Sequence, residues 1–264
     1  AWDERRQTLS RFLASGTLLD VHRVNVRDTT RLSRVLGVFD DGSLLAAVAE
    51  PVDLAVVQGR VVRVATTLYR VRGEESDSVV TVPGEELALQ RGASGTAAML
   101  RPFGLSTRVL VRDTAFVVGE GDRHAFRRYA PDGRLLAVMR RAGARLPLVA
   151  EDTARERSVR AGAARSARER EQVDLMWRTL PFPDSLPAHA ELVADATGPF
   201  WVRDVMHAGD STSSWQVYAP DGAWLGGMTL PPRTSPLAIG PDWLLARRVD
   251  AEGVEYVQLH ALGR

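Results

Sequence analysis

The 264-residue chain contains no cysteine, no lysine, a single asparagine (Asn25) and a single isoleucine (Ile239). Without cysteine there are no disulfide staples, no thiolate chemistry and no cysteine-ligated metal, and the redox compartment is left open. All 34 basic residues are arginine and face 33 acidic ones, for a formal charge of +1. That bias matches a GC-rich coding sequence, and the near cancellation of charge excludes the unmatched basic face of a nucleic-acid binder. No apolar run is long enough to span a bilayer as a helix. With 45% hydrophobic residues the chain is nonetheless well supplied for a core.

What is present is a degenerate repeat. Phe12 to Leu19, Tyr129 to Leu136 and Tyr218 to Leu225 share an aromatic residue, two intervening residues, Ser or Asp, Gly, one residue and an apolar pair. In two copies the turn reads Ala-Pro-Asp-Gly, with Pro where a type I turn fixes φ and Gly where the following bulge needs positive φ. Each copy predicts the tip of a β-hairpin. A second kind of hairpin alternates with the first, turning at Asp40-Asp41-Gly42, Asp113-Thr114, Asp195 to Gly198 and Gly240-Pro241-Asp242. Its flanking strands are apolar on both alternate faces, as in Phe116-Val117-Val118 and Phe200-Trp201-Val202, the pattern of sheets buried on both sides.

Placing the second hairpin inside the first gives four-stranded blades at 34–87, 107–141 and 190–231. Partial blades lie at both ends, with Ala1 to Asp3, Thr8 to Leu13 and Thr17 to Val24 before them and three strands ending at Val254 to Leu262 after them. The expectation is one all-β domain over 1–264, a six-bladed β-propeller lacking about one and a half blades, which are expected upstream of Ala1. Gly133 and Gly222 stand about two blade lengths apart, so something is inserted between them. Residues 150–178 have no Pro and one Gly and are rich in Ala, Arg and Glu, which predicts a helix within an insertion at 148–180. Val173, Met176, Trp177 and Leu180 give it an apolar stripe.

Trp2-Asp3, Leu9 to Phe12, Arg101-Pro102-Phe103, Tyr129 to Gly133, Leu180 to Pro187, Asp195 to Val202 and Val254 to Val257 together resemble the six-bladed propeller group related to NHL-repeat proteins. The resemblance covers nearly the whole chain and rests on turn and strand motifs. It implies a secreted or lipid-anchored bacterial protein whose export signal precedes this chain.

Signals of chemistry are sparse. His22, His124, His189, His207 and His260 stand singly, with no paired spacing for a metal; His189 and His207 flank one blade and could approach its rims. Asp113, Asp195 and Asp242 recur at one turn position, where an Asp caps its own backbone. Trp201 and Trp243 fit buried strands. The expected function is therefore a non-catalytic scaffold that binds protein partners, peripheral to a membrane in the periplasm or outside the cytoplasm. Its narrowest form is a subunit of a photosynthetic reaction-centre or antenna complex. No nucleic acid, cofactor, metal or catalytic residue is expected. The partner surfaces expected are the basic stretch with Arg155, Arg157, Arg160, Arg165 and Arg168, and the Trp215/Trp224 hairpin. The alternative is a metal-dependent hydrolase or lyase at the propeller axis, a chemistry that needs several inward Asn, Asp and Glu and is poorly supplied by one asparagine.

Overall fold

The computed structural model describes residues 1–3, 5–24, 26, 34–54, 60–92, 95–250 and 252–263. Five antiparallel meanders follow one another. The first sheet joins β1 (Trp2–Asp3), β2 (Thr8–Phe12) and β3 (Leu18–Arg23). The second joins β4 (Arg34–Val38), β5 (Leu44–Ala49), β6 (Val61–Arg72), β7 (Glu75–Gly92) and β8 (Gly95–Leu100). The third holds β9 (Arg108–Arg112), β10 (Ala115–Gly119), β11 (Ala125–Tyr129) and β12 (Leu135–Arg140). Helices α1 (Ala150–Ala163) and α2 (Ala167–Thr179) intervene. The fourth sheet is β13 (His189–Ala194), β14 (Phe200–Asp204), β15 (Ser213–Tyr218) and β16 (Trp224–Leu230), and the fifth is β17 (Thr234–Ile239), β18 (Trp243–Val249) and β19 (Glu255–Ala261).

Period-two alternation decides how the sheets stack. From β5, Leu44, Ala46 and Val48 pack on Val24 and Val26 after the first sheet, while Leu45 turns the other way to meet Phe116 and Val118 of β10. Val117, between those two, packs on Phe200 and Val202 of β14, and Trp201, between those, meets Leu244 and Ala246 of β18. From the second sheet onward, each sheet is thus glued to the next through its second strand. The first strands of the last four sheets lie side by side in sequence order, β4 by β9, β9 by β13 and β13 by β17. Gly37 permits the first of these approaches, since a Cβ there would sit 2.5 Å from Val111 Cβ. Face-to-face meanders with their first strands gathered inside form a β-propeller. Five blades are described, joined by four cores.

The three repeat turns are built alike. Gly16, Gly133 and Gly222 have φ of 85°, 85° and 98°, and each donates its N–H to the residue three back. A register shift follows in all three hairpins, at Phe12, Tyr129 and Tyr218.

Two expectations need correction. The blade drawn at 34–87 continues to residue 100: β7 runs for 18 residues, pairs with β6 and then also with β8, after an irregularity between the Ala65–Pro83 and Arg63–Glu86 pairs. The single helix expected within 148–180 is two, because Ser166 leaves helical geometry and its Oγ accepts the N–H of Glu169 at 3.1 Å, starting α2 afresh. Arg157 joins the pair through Asp174 at 2.8 Å, and the Arg160 guanidinium lies 5.7 Å from the Trp177 ring centre. Val173, Met176 and Trp177 are partly buried.

Gly16 and Gly133 share one φ and differ only in surroundings. An added Cβ meets nothing within 4 Å at Gly16 but lies 2.3 Å from the Val79 carbonyl at Gly133. Gly16→Ala is expected to cost about 1–2 kcal/mol for the left-handed backbone alone. Gly133→Ala is expected to cost at least ~1 kcal/mol more by denaturant unfolding, as its turn is pushed off the second sheet.

Candidate functional site

The connection between the outermost strand of the third sheet and the innermost strand of the fourth carries both helices, and hydrogen bonds tie it down at three places. At its base, Leu148 N–H donates to Asp184 O (3.0 Å), Leu186 N–H to Leu146 O (2.8 Å) and Ala188 N–H to Gly121 O (2.8 Å). At the start of α1, the Asp152 carboxylate is 2% exposed and accepts from Ala208 N–H at 2.7 Å, Val149 N–H at 3.2 Å and His207 Nδ1 at 3.0 Å, fixing α1 to the loop after β14. At the end of α2, Gln90 Nε2 donates to Thr179 Oγ1 (2.8 Å) and Arg60 donates to Thr179 O, and just beyond it Arg101 Nε donates to Pro181 O (2.7 Å). Arg101 is itself held by Glu86 at 3.0 Å, a pair more than four-fifths buried on both sides. Phe182 wedges between Trp177 and Phe103, with centroids at 5.3 and 6.3 Å. The helices form a strap from the second sheet to the fourth.

Beneath the strap lies a cleft of about 520 Å³, reached by the starts of β9 and β13, the end of β14 and one side of α1. His189 opens β13 at its wall, 2% exposed. The ring lies over β10 at Gly119, where a Cβ would come within 2.5 Å of Nε2, and sits tilted by 35° against Phe126 with centroids 5.0 Å apart. Burial, reinforced by the nearby His124 and Arg108, pushes the imidazole pKa down to about 4, so it is neutral at physiological pH. Next to it, Arg141 bridges the third and fourth sheets, donating to Asp204 (2.6 Å) and His124 Nδ1 (2.9 Å); Asp204 also accepts from Gln216 Nε2 at 2.8 Å.

His189 and His207 therefore do share one rim, the one the strap covers. Of the expected partner residues, Arg155 lines the cleft, Arg157 is committed to Asp174, and Arg160 to Glu156 at 2.8 Å. Arg165 is exposed in the turn between the helices and Arg168 in the first turn of α2. Trp215 is a correction. It is fully buried in the core between the fourth and fifth sheets, with Nε1 donating to Ser213 Oγ at 3.1 Å, and so cannot belong to an accessible surface. Trp224 is 60% exposed and donates to Gln216 Oε1 at 3.0 Å. The seven residues do not make one patch. Trp201 is in the core, Trp243 is only half buried, and Asp195 binds its own turn through Thr197 N–H at 2.9 Å. Arg108 and Asp152 carried no sequence signal, and for His189 and His207 the sequence offered only their place beside one blade, since the partners of each lie far along the chain. Among the described residues, no group of three or more His, Asp and Glu is placed to hold a metal, and no helix is long and apolar enough to cross a membrane.

No known family profile matches the chain, and no curated protein does. Among solved structures it is similar to a member of the DUF4221 family from Bacteroides vulgatus, at 8% identity over 99% of this chain and 74% of that one, with a TM-score of 0.48. It is also similar to a subtype N11 neuraminidase-like protein of A/flat-faced bat/Peru (H18N11), at 9% identity over 96% and 66% of the two chains, with a TM-score of 0.35. The CNH domain of AfRom2 matches at 9% identity over 100% and 79%, with a TM-score of 0.29. None of these bears on kinship with NHL-repeat proteins.

The anchor of α1 is expected to depend on pH. The hydrogen bond to Asp152 raises the His207 pKa, helped by the charges of Asp152, Asp210 and Glu151, so its stabilisation is complete below about 6.5 and lost as pH rises through the raised value. Burial alone would raise Asp152, but the Ala208 N–H, His207 and Val149 N–H outweigh it and hold the pKa low, so that contribution is lost only in acid. Amide exchange in α1, corrected for intrinsic rates, is expected to be slowest between about pH 4 and 6.5. His207→Gln should abolish the rise on the alkaline side.

Proposed function

We propose that the protein is a non-catalytic propeller of NHL-related type that acts outside the cytoplasm as an interaction module, bound peripherally to a membrane as a subunit of a larger assembly. A photosynthetic reaction-centre or antenna complex is the narrowest form of this proposal. The observation that supports it is the outer face of the fifth sheet. Leu244 and Ala246 turn inward to the fourth sheet, so their neighbours Leu245 and Arg247 face out, paired in register with Leu259 and Val257. Leu259 is 70% and Val257 67% exposed.

In the interior sheets such a face packs against the next sheet, whereas β3, at the other end of the stack, exposes Leu18, Leu19 and Val21 in the same way. Apart from the Arg247–Glu255 ion pair the face is apolar, and it calls for a protein surface against it, a further blade of the ring or a partner subunit, rather than for a small polar substrate. Arg165 and Arg168, exposed on the strap, can steer an acidic partner or anionic head groups towards the assembly without contributing most of the affinity.

Substituting Val257→Glu together with Leu259→Glu places two charges on this face while leaving the inward core intact. Sedimentation of the tagged chain with native membranes should then show release from a high-mass complex, with affinity reduced at least ~10-fold. Unchanged co-migration of the double variant, or sedimentation of the parent chain as a free monomer, contradicts the proposal.

A further inference from the structure

We propose that the cleft beneath the strap binds a small amphipathic oxyanion, a carboxylate or phosphate head on an apolar body. This stands independently of the partner reading, because the cleft and the outer face of the fifth sheet are at different places.

The space is of the size that takes small ligands, about 520 Å³ against a usual range of roughly 300–1,000 Å³. Its charge is unbalanced in one direction. Of the charged side chains lining it, Arg203 lies 3.2 Å from Glu191, Glu156 holds Arg160 at 2.8 Å, and Asp152 holds His207 at 3.0 Å. Two cations are left over. Arg108 spends only its Nε, on Ala190 O at 3.0 Å, and neither Arg108 nor Arg155 meets an acidic side chain in an ion pair among the described residues. They come from opposite sides, Arg108 from an innermost strand and Arg155 from the strap, so one anion held by both would also tie the strap to the ring.

His189 supplies the second observation. Its Nε2 accepts the Gly121 N–H at 3.3 Å, which places the proton of the neutral ring on Nδ1. That donor is buried and has no hydrogen-bond partner beyond a contact with its own backbone carbonyl. A buried donor left unpaired costs about 1–3 kcal/mol, a cost relieved when a small turn of the ring presents Nδ1 to an oxygen acceptor in the cleft. Between the polar groups the lining is apolar, with Phe103, Val159 and Met206. An oxyanion head suits Arg108, Arg155 and His189, and a hydrocarbon or aromatic body suits the rest.

The test is calorimetric titration of the full chain with four probes of equal chain length: octanoate, octyl phosphate, octanol and octylamine. Binding of octanoate or octyl phosphate at least ~10-fold tighter than octanol, with octylamine weaker still, is expected, and the better of the two anions identifies the head group. Arg155→Gln, on an exposed helix face, and Arg108→Gln should each lower the oxyanion affinity at least ~10-fold while leaving octanol binding unchanged, and Arg155→Gln should also keep the parent unfolding midpoint. The proposal is overturned if neither anion binds, if octanol binds as tightly, or if both variants retain the parent affinity.

Discussion

Each interior sheet of this protein has two apolar faces, and neither can be left to water. All five residues of β10 are buried, with Phe116 and Val118 directed at one neighbouring sheet and Val117 at the other. Full burial of such a side chain contributes about 1.5–3 kcal/mol, so a sheet of this kind is stable only with a sheet on either side. Repeating the arrangement through β5, β10, β14 and β18 generates the stack, and close approach of the first strands, as at Gly37 against Val111, bends it around an axis. Phe116 stacked on Tyr129 at 5.2 Å and Phe200 on Tyr218 at 5.4 Å repeat one aromatic contact in successive blades. The same constraint leaves apolar side chains of β3 and β19 exposed at the two ends of the stack.

The strap follows from this topology. A chain leaving the outermost strand of one blade must cross the rim to begin the innermost strand of the next, so a long insertion there lies over the mouth formed by the starts of the inner strands. Its stability is mostly polar. Asp152 satisfies two backbone donors and a histidine at one end, and Arg101 and Gln90 satisfy Pro181 and Thr179 at the other. Hydrogen bonds to charged groups contribute about 1.5–3 kcal/mol each, less than the apolar cores, so the strap is the part of the molecule most open to local release.

The blades were legible because their causes are local. Ala-Pro-Asp-Gly fixes a hairpin tip within four residues, and an unbroken run such as Phe116-Val117-Val118 announces burial on both faces. The extra strand β8 was not legible, as its Ala-rich residues gain strand geometry by pairing with β7 rather than by propensity. The break between the helices was present in Ser166 and Glu169, three apart, a start signal hidden inside a composition that favours one helix. The cleft could not be read at all. Arg108, Arg155 and His189 are scattered along the chain, and a pairing such as Asp152 with His207 spans 55 residues. Trp215 and Trp224 misled because hairpin position does not say which face a side chain takes; register puts the first into the core and leaves the second in solvent.

The central claim is that the helical strap bridges the second and fourth sheets, and the absence of native cysteine allows a direct measurement. One variant would carry Gln90→Cys with Thr179→Cys, and another Glu151→Cys with Gly209→Cys, each pair joining residues in contact across one end of the strap. A short bis-maleimide should cross-link both pairs within single chains under native conditions and neither pair in denaturant. Failure of either pair to cross-link in the folded protein would show that the strap does not reach both sheets, and the account of the rim and its cleft would be wrong.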